Sequence, residues 1–276
     1  MSKTLEIQTS EPIDANDLYH YLQHRIENIV GIQKSETGFY FYKDQYSTRG
    51  IDFFKEDYGY EVRVTALSNA ADYEILNEII RYFLHFRRDA KYMLDDEPIK
   101  DILHFDFQQG GFSEDANVIS TLVNHHQSEV TLYGPKGEYY IGPKVLKNID
   151  TETADWEKRL EDLILKIQYH LQKSESDNVM SMGDGENQKI LKVVSRKVNY
   201  ILKKYDYLIF HKLENENSVE NMVIVTNELV NKNLPKTWEL IDDFTIIAPS
   251  LTNEDYQELV TKLLPFDCKA ELGIKG

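Results

Sequence analysis

His104 and Asp106 stand two residues apart in the segment 102–107, and His125 and His126 end the next apolar-periodic segment. If 102–107 is a strand, alternate side chains share a face and His104 and Asp106 point together. An imidazole beside a carboxylate, joined by two more imidazoles, can move protons or hold a divalent metal in a hydrolytic site. These four residues define the enzymatic reading of the chain, a metal- or His/Asp-dependent hydrolase. The helix argues against it. His125 follows Val118 by seven residues and His126 follows Ile119 by seven. Both therefore continue an apolar stripe to a helix C-terminus, where imidazoles bond free carbonyls. Structural histidines are the preferred reading.

Other chemical candidates are weaker. His20 and His24 have the i, i+4 spacing of two metal ligands but sit about 200° and 240° round the helix from Leu18, facing water without a third ligand. Gly183-Asp184-Gly185 lacks the third glycine and the Lys-Ser or Lys-Thr of a phosphate loop, and its acid would repel phosphate. Gly134-Pro135-Lys136-Gly137 suits a hairpin turn. Cys268 is the sole cysteine; no disulfide can form within the chain, and a reducing cytoplasmic setting follows. The sequence predicts no cofactor and no metal site.

Aromatic residues supply the binding candidates. Tyr40, Tyr42, Tyr46 and Tyr58 cluster with Phe39, Phe41, Phe53 and Phe54. On one strand, Phe39 and Phe41 face opposite to Tyr40 and Tyr42. Either that strand is covered on both sides, or some of the rings form a recognition surface. The covered arrangement is preferred.

These residues need elements to position them. Asp14 or Asn16 caps a first helix through Ile29 with Leu18, Leu22 and Ile26 inward, stopped by Gly31. Strands follow at 38–43, 51–55 and 58–67, then a helix from Asn69 to Phe86 burying Tyr73, Leu76, Ile80 and Phe83. After the 102–107 strand come a helix from Ser113 to His126, a hairpin over 129–141 and a helix over 154–173. Ser, Gly and acidic residues make 174–188 a flexible linker or loop between a larger domain, 1–173, and a smaller module, 189–276. The latter opens with a helix over 189–205 whose face carries Lys192, Arg196 and Lys203. Strands near 207–213, 221–226 and 244–248 follow. A last helix begins at Thr252, whose hydroxyl can bond the amide of Asp255, and Pro265 stops it. Ala66-Leu67-Ser68 before Asp72-Tyr73 echoes Ala248-Pro249-Ser250 before Asp255-Tyr256, which suggests a repeated helix–three strands–helix module. The expected class is α+β, with mainly antiparallel sheets and helices packed on their faces.

Charge sets the functional expectation. The 276 residues carry 47 Asp and Glu against 31 Lys and Arg, a formal charge of −16. Such a molecule repels nucleic acid and anionic lipid and attracts cationic partners. No apolar run reaches the ~18 residues of a membrane span. Residue usage resembles that of soluble low-GC bacterial proteins. The favoured expectation is a cytoplasmic, non-enzymatic acidic protein that holds a cationic protein partner, as immunity and inhibitor proteins do.

Overall fold

A computed structural model describes residues 2–169, 178–212 and 221–274. The chain divides into two units, Met1–Tyr169 and His170–Gly276. Both mix helices with mainly antiparallel strands, and the class is α+β.

The first unit runs β1 (Lys3–Gln8), α1 (Ala15–Arg25), β2 (Ile29–Gln33), β3 (Gly38–Lys43), β4 (Ile51–Glu56), β5 (Gly59–Val64), α2 (Ala70–Phe86), β6 (Lys91–Leu94) and β7 (Glu97–Pro98). It continues with α3 (Gly111–His126), β8 (Val130–Gly134), β9 (Gly137–Ile141), α4 (Pro143–Ile149) and α5 (Trp156–Tyr169). Seven strands form one sheet in the order β2-β3-β4-β5-β1-β6-β7, antiparallel throughout. Strand β1 thus lies inside the sheet between β5 and β6, with Leu5 opposite Val62 on one side and Leu94 on the other.

Period-two alternation sends Leu5, Ile7, Phe41, Phe53, Tyr60 and Val62 to one face, where they pack against Leu18 and Leu22 of α1 and Leu76 and Phe83 of α2. Each such side chain gains about 1.5–3 kcal/mol by leaving water. Helix α2 starts where the sequence says. Asn69 accepts from the Asp72 amide while Asp72 accepts from the Asn69 amide, a complete capping box.

The opposite face of β3 is covered too. Lys136, in the β8–β9 turn, donates to the Tyr42 hydroxyl at 3.3 Å, and its ammonium lies 5.1 Å from that ring's centroid. Tyr169 at the end of α5 donates to the Ser47 carbonyl at 2.8 Å. With helix on one side and hairpin on the other, Tyr40 and Tyr42 are both buried.

Several expectations fail in this unit. Helix α1 ends at Arg25 because Ile26 takes an extended φ of −125°, and Asn28 then turns the chain with a left-handed φ of 60°. The β-branched run that follows, with Ile29 and Gly31, belongs to strand β2. Strands β6 and β7 and helix α4 extend the fold beyond the predicted elements, and α3 starts at Gly111 with no side-chain cap. The 102–107 strand does not form: Ile102–His104 is a single 3-10 turn. His104 and Asp106 therefore lose the shared strand face on which the catalytic reading depended.

The second unit contains β10 (Val179–Met182), β11 (Lys189–Val193), β12 (Tyr200–Leu202), β13 (Tyr207–His211), β14 (Met222–Thr226), α6 (Asn227–Lys232), β15 (Glu239–Leu240), β16 (Ile246–Ala248) and α7 (Asn253–Leu263). One sheet has the order β10-β11-β13-β14, with β11 and β13 parallel; a smaller one has the order β12-β16-β15. Helix α7 packs Tyr256, Leu259, Val260 and Leu263 against Leu208, Phe210, Val223 and Val225. Leu272 and Ile274 cover Leu191, Ile209 and Ile224 on the other face.

The helix expected over 189–205 is two strands, β11 and β12, in different sheets. Its basic face dissolves accordingly. Lys192 is buried, with its ammonium 5.3 Å from the Tyr200 ring centroid. The repeated module loses its opening helix, and what recurs is only a strand handing over to a capped helix. Within 174–188, residues 174–177 lie outside the described residues, while Val179–Met182 pairs antiparallel with Lys189–Lys192. No helix among the described residues is long and apolar enough to cross a membrane.

Candidate functional site

Asp72 organises the interior of the first unit. One carboxylate oxygen accepts from the Gly50 amide at 2.8 Å. The other accepts from the Thr48 hydroxyl and the amides of Arg49 and Asn69 at 3.0–3.1 Å. Burial pushes this carboxyl up, and donors from Asn69, Ser47, Gly50 and Arg49 oppose the push. The β3–β4 loop is thereby drawn inward: Ser47 and Thr48 are fully buried and Arg49 is only 9% exposed. Tyr40 adds a bond from its hydroxyl to the Arg49 carbonyl. Burial, followed by the Asp72 charge, raises the pKa of both Tyr40 and Tyr169, so these phenols stay neutral.

An open acidic cleft of 330 Å³ lies against β1, α2 and α3. Tyr73 and Val118 form its apolar wall, and Asp95, Glu114 and Asp115 supply carboxylates. Burial first, then the charges of Asp72 and Asp106, raises the pKa of Tyr73 in that wall. Lys3 is the one cation of the lining. It is already engaged, donating to the carbonyls of Phe107 at 2.9 Å and Gln109 at 3.1 Å. Two of the acids have structural duties: Asp95 accepts from the Thr4 amide and Asp115 from the Leu67 amide. In the segment before α3, Leu103 is 72% and Phe105 39% exposed, and α3 turns Val118 and Leu122 outward.

The predicted catalytic residues take ordinary surface positions. His104 Nδ1 donates to Asp101 at 2.8 Å on an exposed turn, and that bond comes first among the causes that lower the pKa of Asp101. His125 and His126 are exposed at the end of α3, their rings perpendicular with centroids 4.8 Å apart. Among the described residues, no three His, Cys, Asp or Glu side chains gather as a metal site. His20 and His24 lie on α1, His20 exchanging a hydrogen bond with Gln23. Burial first, then Glu271 and Asp267, raises the pKa of Cys268 and keeps it a thiol.

Of the four binding tyrosines, Tyr40 and Tyr42 are enclosed, whereas Tyr46 is 51% and Tyr58 42% exposed. Sequence reasoning missed the Asp72 hub and the acidic cleft. Asn69-x-x-Asp72 is legible as a capping box, but the loop that bonds Asp72 lies over twenty residues earlier and has no local signature. Comparison with known proteins returned no match to a family model, a curated protein or a solved structure.

Proposed function

We propose that this chain is a non-enzymatic binding protein, of the inhibitor or immunity type, that holds a cationic protein partner against the acidic cleft of its first unit. The observation that carries this reading is the uneven charge. The first unit has 30 Asp and Glu against 18 Lys and Arg, a net −12, while the second has 17 against 13, a net −4. The cleft adds a local reason. Its only lysine is tied to backbone carbonyls, and its carboxylates stand beside Tyr73 and Val118. A lysine or arginine side chain of a partner would find charge at the rim and apolar cover for its methylenes. The long-range field would speed association, and the buried anchor would set the lifetime of the complex. The lone cysteine supports a reducing, cytoplasmic setting.

The hydrolase reading has less support, because His104 spends its Nδ1 on Asp101 and stands on an exposed turn. Capture of partners from native lysate on the immobilised full chain tests the proposal, at low and then at raised ionic strength. A basic protein retained in stoichiometric amount, lost on adding salt and lost in the double variant Asp106→Asn, Glu114→Gln, is the expected result. Absence of any stoichiometric partner at low ionic strength overturns it.

A further inference from the structure

Strand register gathers a set of side chains at one end of the first unit's helix-covered sheet face. Phe39 of β3 stands opposite Phe53 of β4, and Lys55, two residues on, stands opposite Tyr60 of β5. Alternate residues share a face, so all four lie on the side that carries Phe41 and Val62. The chain entering α1 is pinned there, because Ile13 donates its amide to the Tyr60 hydroxyl at 2.6 Å. Pro12, Asp14 and Ala15 thereby join Phe39, Phe53 and Tyr60 round an open cavity of about 490 Å³.

Wall and rim differ in kind. Phe39 is partly buried against the core, backed by Phe53 and Tyr60, whose rings stack with centroids 5.2 Å apart. Tyr60 directs its hydroxyl at Ile13, so this wall presents rings. The rim carries Lys55 and Glu36, both exposed. The Thr37 carbonyl accepts from the Lys55 amide at 2.8 Å, so the two charged side chains spring from neighbouring backbone. Yet neither makes an ion pair with the other or with any other described residue. A cation and an anion left unpaired at the mouth of an aromatic-walled cavity are the complement of a zwitterion with an apolar body.

We propose that this cavity binds a free α-amino acid with an apolar side chain. Its carboxylate would meet the Lys55 ammonium, and its ammonium would meet Glu36. Asp14, one of whose oxygens accepts from the Asn16 amide, adds negative charge on the same side of the balance. The apolar side chain would lie against Phe39 and Pro12. A carboxylic acid without the amine would bring its charge towards two carboxylates, and an amine without the acid would leave Lys55 unanswered. This inference is independent of the partner proposed above, which uses a different cavity.

Titration calorimetry on the full chain, with L-phenylalanine as the probe, tests it; Kd should be about 1 mM or tighter. Phenylpropionate, phenethylamine and glycine each lack one of the three matched groups. Each should bind at least about tenfold more weakly, the worth of one charge-assisted hydrogen bond. Lys55→Met and Glu36→Gln should weaken L-phenylalanine by a similar factor, and both replace exposed, unpaired side chains that the fold does not need. Lys100→Met, outside the cavity, should leave the affinity unchanged. Absence of saturable L-phenylalanine binding at about 10 mM overturns the proposal. So does equal binding by any of the three truncated compounds, or an unaltered affinity in Lys55→Met.

Discussion

At Asp72 a single side chain satisfies more donors than any neighbour could replace. Asp72→Ala would leave the amides of Arg49, Gly50 and Asn69 buried without acceptors, at a cost of about 3–5 kcal/mol, whereas the Thr48 hydroxyl keeps the Leu67 carbonyl at 2.6 Å. Denaturant unfolding should show that loss in the first unit. Asp72→Asn should cost nearly as much, since its amide nitrogen would face the same N–H groups; a loss below about 1 kcal/mol would refute the hub. Tyr92 offers a contrasting test. Its hydroxyl is buried without a partner, and burial raises its pKa to about 12. The folded chain then keeps this proton when the unfolded chain, with a phenol near 10, has lost it. Stability from this group is complete below pH ~10 and is lost as pH climbs from ~10 to ~12. Tyr92→Phe should flatten the alkaline limb of the stability profile and leave neutral stability close to the parent.

Elements were legible where local chemistry and tertiary packing agree. Asn69 to Phe86 has an apolar stripe, a cap and an acidic first turn, all inside one segment, and α2 forms over Ala70–Phe86. Thr252 and α7 are the same case, and Thr252 Oγ1 does accept from the Asp255 amide at 3.1 Å. Thr252→Ala should therefore destabilise the second unit by about 1 kcal/mol in urea unfolding, with little effect on the first. The segment 189–205 misled because Leu191, Val194, Val198 and Ile201 fall at helical spacing by coincidence. Val193, Val194 and Val198 are β-branched, and β11 gains a strand on each side, β10 and β13, that no local pattern reveals. The candidate site was less legible still. Tyr40 and Tyr42 could be sorted only by knowing what covers their face, and the cover, Lys136 and Tyr169, lies some 90 to 130 residues onward.

For the whole molecule, the separation of charge sets how a complex should behave. If the first unit recruits a cationic partner, association rates should fall steeply with ionic strength while dissociation rates change little. Stopped-flow mixing with the captured partner measures both. Asp106→Asn with Glu114→Gln should slow association, whereas removing charge from the second unit, as in Glu254→Gln, should not. Equal effects from the two units would assign the attraction to net charge alone.

The interior position of β1 imposes an order of events on synthesis. Leu5 leaves the ribosome long before Val62 and Leu94, the residues it must stand between. At about 5–20 residues per second, translation keeps this strand, with its buried Leu5 and Ile7, waiting roughly 5–20 s for its second neighbour. During that interval β2, β3, β4 and β5 can already zip as consecutive hairpins, leaving the flank of β5 open. The nascent chain therefore passes through a stage in which an unpaired ribbon and an open sheet border coexist, and this is the window in which a chaperone would engage it.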